Sequence, residues 1–526
     1  MGKVLPPQEI KRFDLGVTSE IRGSNNRFSS MVKNFDIHTY GNKLVPLRSS
    51  EAGDASASST AGVRNFCIAR LNATPTYALY GLARDSADSR AEVFYKNLNL
   101  NANGLSDDDW TATAANLETT GTVMNPVDFN LFVFYENRNL IYGLRDSRYI
   151  WSYSPSGGGF TSTAKDLNAY TDIFSTSVAH VIQGLVHSKD DILYLAFDNW
   201  IIKNNAGTFT AGTAPALTLP AHFKVTSLSE RGNYLAVSCA PKSGFGKSVV
   251  YLWDRDATLT TLSESIDWGE GELFATEELD GTLIGVTNSG KGAVNNQRLV
   301  FRYLDGNVSK VIDQLISQEV SSLASITSIY AKYKYNNAIY FVFGMNFYDG
   351  EEQLGIWKLG KNKSGNLALS LDRTLENDTT GITITFFHGF IVVGDFIFAS
   401  YNQNGTITVR KTIAKGGSGE YSATSVLGTL VQNEGDSSIT KQLKAITVLT
   451  EPLPAAGQVV LKYKKDADID GSTYTTIFTN TTDDSIRNTA TTTVQYKEII
   501  FRIESTGGAV ITGLKWKPEV VDNDVA

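Results

Sequence analysis

One unit returns seven times along this chain: an apolar strand, a polar turn, and a second strand rich in aromatics. It first reads Tyr77-Ala78-Leu79-Tyr80-Gly81-Leu82 followed by Val93-Phe94-Tyr95-Lys96, then Leu140-Ile141-Tyr142-Gly143-Leu144 followed by Tyr149-Ile150-Trp151. The later copies centre on Tyr194, Leu235, Ile284, Tyr340 and Ile397, and successive anchors from Tyr80 onward lie 41 to 62 residues apart. That spacing suits a β-propeller, whose blades of four strands repeat roughly every 40 to 50 residues. The period is loose, so about seven blades are expected and six to eight remain open. Two stacked sandwich domains are the competing arrangement.

Composition narrows the class. With 526 residues, 42% hydrophobic and 11% aromatic, 45 Gly and 12 Pro, the chain reads as all-β and long enough for several cores. No apolar run is long enough for a membrane helix, and Met1 to Arg12 is polar with no apolar signal-peptide core, so neither a membrane span nor a leader is expected. Cys67 and Cys239 both sit in apolar strand-like runs and read as small buried hydrophobes. A net charge of −8 argues against a general nucleic-acid binder.

Three segments follow. Residues 1–61 fit no blade and read as an extended arm that needs something to lie on. Residues 62–425 carry the seven units. Within them, 309–328 has apolar residues at 311, 312, 315, 316, 320, 323 and 326, the spacing of one helical face, with a continuing strand as the alternative. After the glycines around Gly417, residues 428–526 read as an antiparallel β-sandwich with strands near 442–449, 458–464, 474–479, 497–503 and 510–515, and with Phe501, Ile503, Ile511, Leu514 and Trp516 in its core.

Few motifs offer chemistry. Gly244-Phe245-Gly246-Lys247-Ser248 superficially resembles a phosphate-binding loop, but it lacks the required earlier glycine and leads into a strand, so it reads as a turn between blade strands. Asp466, Asp468 and Asp470, followed by Gly471, match the first half of a calcium loop and are the candidate metal ligands; position twelve is Ile477 rather than Glu, and a hairpin turn with solvated carboxylates is the plainer reading. The histidines His38, His180, His187, His222 and His388 show no metal-ligand spacing. Acidic residues at 267, 270, 272, 351, 352 and 395 could in principle supply a glycosidase pair. They recur in no blade-by-blade motif, so no enzyme and no cofactor is expected.

The two ends carry a resemblance. Val459-Val460-Leu461-Lys462-Tyr463, Asp470-Gly471-Ser472-Thr473-Tyr474, Phe501-Arg502-Ile503 and Ile511-Thr512-Gly513-Leu514 resemble the last domain of tail nozzle and head-closure (hub) proteins of tailed bacteriophages. At the front, Phe13-Asp14-Leu15-Gly16-Val17 and Gly41-Asn42-Lys43-Leu44-Val45-Pro46-Leu47-Arg48 are similar in style to that family's arm, although this chain has Leu47-Arg48-Ser49-Ser50 in place of the Pro-Gly expected after the arm. The resemblance implies a virion structural protein of the tail, assembled in the host bacterial cytoplasm. Its implied partners are its own copies in a symmetric ring of six or so, neighbouring tail or head-to-tail connector proteins, and genomic DNA that passes without specific binding. Another virion role (tail tip, decoration or receptor binding) and a glycan-active propeller enzyme are the alternatives.

Overall fold

The computed structural model describes residues 5–13, 30–52, 63–70, 77–84, 91–98, 110–116, 131–145, 149–156, 160–166, 182–205, 208–209, 215–256, 264–289, 298–316, 332–346, 352–375, 384–403, 406–413, 415, 417, 419–471 and 473–521. Its strands form a seven-bladed β-propeller joined to a two-sheet β-sandwich. The recurring pair seen in the sequence is the second and third strand of each blade. Tyr80, Tyr142, Tyr194, Leu235, Ile284, Tyr340 and Ile397 all lie on second strands, each paired antiparallel with the strand that follows. Both faces of these middle strands are covered by neighbouring blades, and they therefore read as nearly continuous apolar runs. The innermost strands are Arg64–Arg70, Phe132–Tyr135, Ile182–His187, Phe223–Arg231, Glu272–Leu279, Lys332–Tyr335 and Ile384–Val393. Blade follows blade around the axis, and the last innermost strand packs on the first.

The arm completes both modules. Ser50–Ala52 is the outermost strand of blade 7, pairing Ala52 with Arg410 and Ser50 with Thr412, so the N-terminal segment closes the ring. Gln8–Ile10 adds to the sandwich beside Ile511–Val520, with Gln8 opposite Trp516. Met31–Lys33 lies between the modules. It pairs antiparallel with Ser425–Gly428 of the sandwich and parallel with blade 6, where Lys33 faces Leu371, making one nine-stranded sheet from propeller to sandwich. What the arm lies on, for these strands, is the chain itself, whose propeller and sandwich fill their ladders.

Packing follows the same path. A single buried cluster runs from Phe301, Phe343 and Trp357 in blades 5 and 6, through Val32 and Phe35 of the arm, to Phe501, Ile503, Ile511, Leu514 and Trp516 in the sandwich. The five anticipated sandwich core residues are all buried. That module has the expected strands, here Lys441–Thr450, Gln458–Lys465, Thr475–Asn480, Ile499–Thr506 and Ile511–Val520, and also Arg487–Thr491 and Gln495–Tyr496.

The helix expected over 309–328 is not formed where the chain is described: Val308–Ile316 is the outer strand of blade 5, and 317–328 lies outside the described residues. A register shift explains the misleading pattern. Phe301 faces Asp313 while Arg302 faces Val311, leaving Ile312 as an extra residue in the ladder. A bulge puts two successive apolar residues where strict alternation would put one, and this imitates helical spacing.

Candidate functional site

The expected metal ligands do not gather. Asp466–Asp470 is a short 3-10 turn, and Asp466 Oδ1 accepts the backbone amides of Lys497 at 2.7 Å and Glu498 at 3.1 Å. Among the described residues no group of three His, Cys, Asp or Glu side chains could hold a metal ion. The turn that holds Asp466, Asp468 and Asp470 is thus tied through Asp466 to the backbone leading into the strand Ile499–Thr506. Carboxylates converge on calcium only when the loop aims them inward, and this turn spends the first of them on the backbone.

Two other singled-out carboxylates, Asp267 and Glu272, are engaged in ion pairs. Asp267 binds Lys247 at 2.8 Å, which holds its carboxyl below the usual range, and the buried Glu272 binds Lys224 at 2.6 Å. Asp395 contributes its carbonyl to Arg48 at 2.9 Å; Glu351 lies outside the described residues.

Two of the described histidines, His187 and His38, are buried and hydrogen-bonded. His187 is fully buried at the end of blade 3's innermost strand, and its Nδ1 accepts from Arg255 Nη1 at 2.6 Å and from the Lys189 amide at 3.2 Å. That arrangement places the proton on Nε2, which donates to the Tyr234 carbonyl at 3.2 Å. Arg255 also pairs with Asp190 at 3.0 Å, and Tyr194 donates to the same carboxylate at 2.9 Å. Both ring nitrogens being occupied, His187 clips blade 3 to blade 4 and has no lone pair left for a metal or a substrate. His38 is buried against blade 6, with Nε2 3.2 Å from Ser370 Oγ; burial, reinforced by Lys358, pulls its pKa down to about 3. The exposed His222 ring lies tilted at 41° against Phe223, with centroids 4.2 Å apart, and His180 lies outside the described residues.

A groove of about 430 Å³ opens between blades 4 and 5, at the end where first strands turn into second strands. Tyr234, Leu252, Arg231, Glu264 and Glu278 line it. Tyr234 is 39% exposed, an unusual state for an aromatic in this propeller. The amide of Gly232 donates to Glu278 Oε2 at 3.1 Å and Arg231 Nη2 to the Gly306 carbonyl at 3.4 Å, so turns from both blades fix the rim.

The phosphate-loop lookalike sits at the opposite end of blade 4, joining Tyr234–Pro241 to Lys247–Trp253. Gly244 and Gly246 adopt φ of +76° and +104°, which side chains on Cβ rarely allow. Ser243 Oγ accepts the Phe245 amide at 3.3 Å and donates to its carbonyl at 3.0 Å, while the Gly246 carbonyl accepts the Gly271 amide at 2.9 Å. This tight turn lifts Phe245 into solvent, 72% exposed. The sequence offered one sign of it: a lone aromatic bracketed by glycines.

No protein-family profile and no curated protein sequence matches the chain. Among solved structures it is similar to a Dos1 propeller, at 12% identity over 69% of this chain and 84% of that one, with a TM-score of 0.39. It is also similar to hydrazine synthase of Kuenenia stuttgartiensis, at 11% identity over 60% and 80% of the two chains with a TM-score of 0.35. The exo-beta-1,3-galactanase of Phanerochaete chrysosporium gives 10% identity over 90% and 99%, with a TM-score of 0.26. The assignment of a propeller therefore rests on the strand pairing itself.

Proposed function

We propose that this chain is a structural subunit of a bacteriophage virion, a tail nozzle or hub component set in a ring around the DNA channel and working without catalysis. The observation that carries this reading is the nine-stranded sheet that runs from blade 6 through Met31–Lys33 into the sandwich. Backbone ladders and one continuous core join the two modules, so a load on either is transmitted to the other without a hinge. Such a body suits a particle that holds its shape while DNA moves past.

The resemblance at both ends supplies the class, and charge is compatible with it. With a net charge of −8, acidic surface facing a channel would repel phosphates and limit adhesion during ejection. Neighbouring connector or tail proteins are the other partners on this reading. The arm no longer argues for an assembly, because its described strands are satisfied within the chain.

Negative-stain imaging of virions labelled with an antibody to this chain tests the proposal. Label at the tail hub in a sixfold ring is the expected result. Trimeric spikes would favour a receptor-binding role, and absence from the particle would sink both. Turnover of a glycan panel that disappears when Glu264 and Glu278 are replaced by Gln would instead establish an enzyme.

A further inference from the structure

We propose that a small inorganic anion of halide size is bound at the seam between blades 6 and 7, held by Arg373 and Thr412 beside the arm residue Arg48. The inference is independent of the virion reading, because it rests on hydrogen-bonding capacity and local charge. Arg373 lies on Leu367–Thr374, the outer strand that blade 6 itself supplies, and is more than nine-tenths buried. It reaches toward blade 7. Nη2 donates to Thr412 Oγ1 at 2.7 Å and to the Arg48 carbonyl at 3.4 Å, tying blade 6 to Thr406–Thr412 of blade 7 and to the arm. Nη1 is also buried and has no acceptor. Thr412 leaves a second donor unmet. Its oxygen accepts from Arg373 and from the Ile397 amide at 2.9 Å, which fills both lone pairs and leaves the hydroxyl proton to donate. Buried donors without an acceptor are rare in folded proteins, and two in one contact call for a bound water or ion.

Charge decides between the two. Among the described residues, the Arg373 guanidinium bonds only a hydroxyl and a carbonyl. Arg48 likewise spends its guanidinium on the carbonyls of Ile413 at 3.1 Å and Asp395 at 2.9 Å. Burial lowers the pKa of Arg373 to about 10; Asp372 opposes that fall, while the like charges of Arg48 and Arg410 add to it. Three guanidinium groups thus act on the seam against one carboxylate, which Lys358 shares. A buried charge without a counter-charge is costly. Water would bring two further donors and no charge, whereas an anion accepts from both unmet donors and offsets the excess. Because Nη1 is shut off from solvent, the acceptor is a small ion and not a group on a macromolecule. The ion completes contacts that join blade 6 to Thr412, whose ladder partner is Ser50 of the arm, so closure of the ring becomes anion-dependent.

Two measurements on the full chain test this: thermal melting in sodium chloride against sodium gluconate at equal ionic strength, gluconate being too bulky for the seam, and anomalous diffraction from crystals soaked in bromide. Chloride should raise the melting temperature by about 2 °C or more over gluconate, saturating with concentration as single-site binding does. A bromide peak should lie within hydrogen-bonding distance of Arg373 Nη1. Arg373→Met removes the donors and should abolish the chloride shift; if that variant does not fold, the shift and the peak in the parent protein still decide. Equal melting in both salts overturns the proposal. So does a chloride shift with no peak at Arg373, or one that persists in Arg373→Met. A bromide peak at Arg373 without a chloride shift marks an adventitious ion only and overturns it as well.

Discussion

At the scale of single residues, most conspicuous side chains are spent on packing. The Tyr-Gly-Leu shared by the first two blades has a steric cause in the second: Gly143 faces Trp151, and a Cβ on Gly143 would lie 2.1 Å from the indole Cζ2. Gly143→Ala should therefore destabilise the propeller by roughly 1–3 kcal/mol, as overpacking of cores does, read as a lower denaturant midpoint. In the sandwich, Glu434 Oε1 accepts from Tyr496 OH at 3.0 Å and Trp516 Nε1 at 2.9 Å. Glu434→Ala strands two buried donors and should cost about 1–3 kcal/mol; a Trp516 emission shift in the folded variant would report the loosened site. His38 supplies a pH dependence. Its pKa falls from an ordinary 6.5 to about 3 on folding, so the unfolded chain binds more protons between those values. Its stabilising contribution is complete above pH 6.5 and is lost as pH drops toward 3. Asp36, which burial pushes up but Thr39, Lys358 and the His38 amide hold below the usual range, adds to the loss in acid, whereas Asp372, pushed up by burial, opposes it. His38→Gln should show a smaller fall in melting temperature between pH 7 and pH 4.5 than the parent; an unchanged fall would mean that His38 does not set the acid sensitivity.

At the scale of elements, what the sequence made legible was local. Second and third blade strands pair across short turns, are buried on both sides and carry the aromatic signal, so the blade count could be read near seven. The pairing of Ala52 with Arg410 and of Lys33 with Leu371 could not, because nothing in a short β-run names a partner more than three hundred residues away. The bulge at Ile312 likewise concealed a strand behind helical spacing. The candidate site fared worse. Metal-like spacing at Asp466, Asp468 and Asp470 reflected a turn, and the exposure of Phe245 depends on glycine conformations that sequence only hints at. The arm carries a prediction at this scale. Removing residues 1–12 uncovers the edge at Ile511–Val520 and should lower stability modestly. Removing 1–52 also takes the outermost strand of blade 7 and the strand between modules, and should leave a chain that aggregates. Proteolysis and light scattering distinguish the two; a well-folded, monomeric 53–526 fragment would show that the arm is dispensable.

At the scale of the whole molecule, a propeller alone decides no function, since that architecture hosts many. This propeller shares backbone ladders and a core with its sandwich, and buried polar clips such as His187–Arg255 tie blade to blade. In the proposed virion role, those connections serve a rigid subunit repeated around a channel. The most direct measurement is cryo-electron microscopy of intact phage particles carrying this gene. A closed ring of about six copies at the tail hub is the predicted result, with propeller and sandwich of each copy superposing as one rigid body on the single chain. A particle that lacks the chain, or carries it as separate spikes away from the DNA path, would contradict the virion-ring proposal.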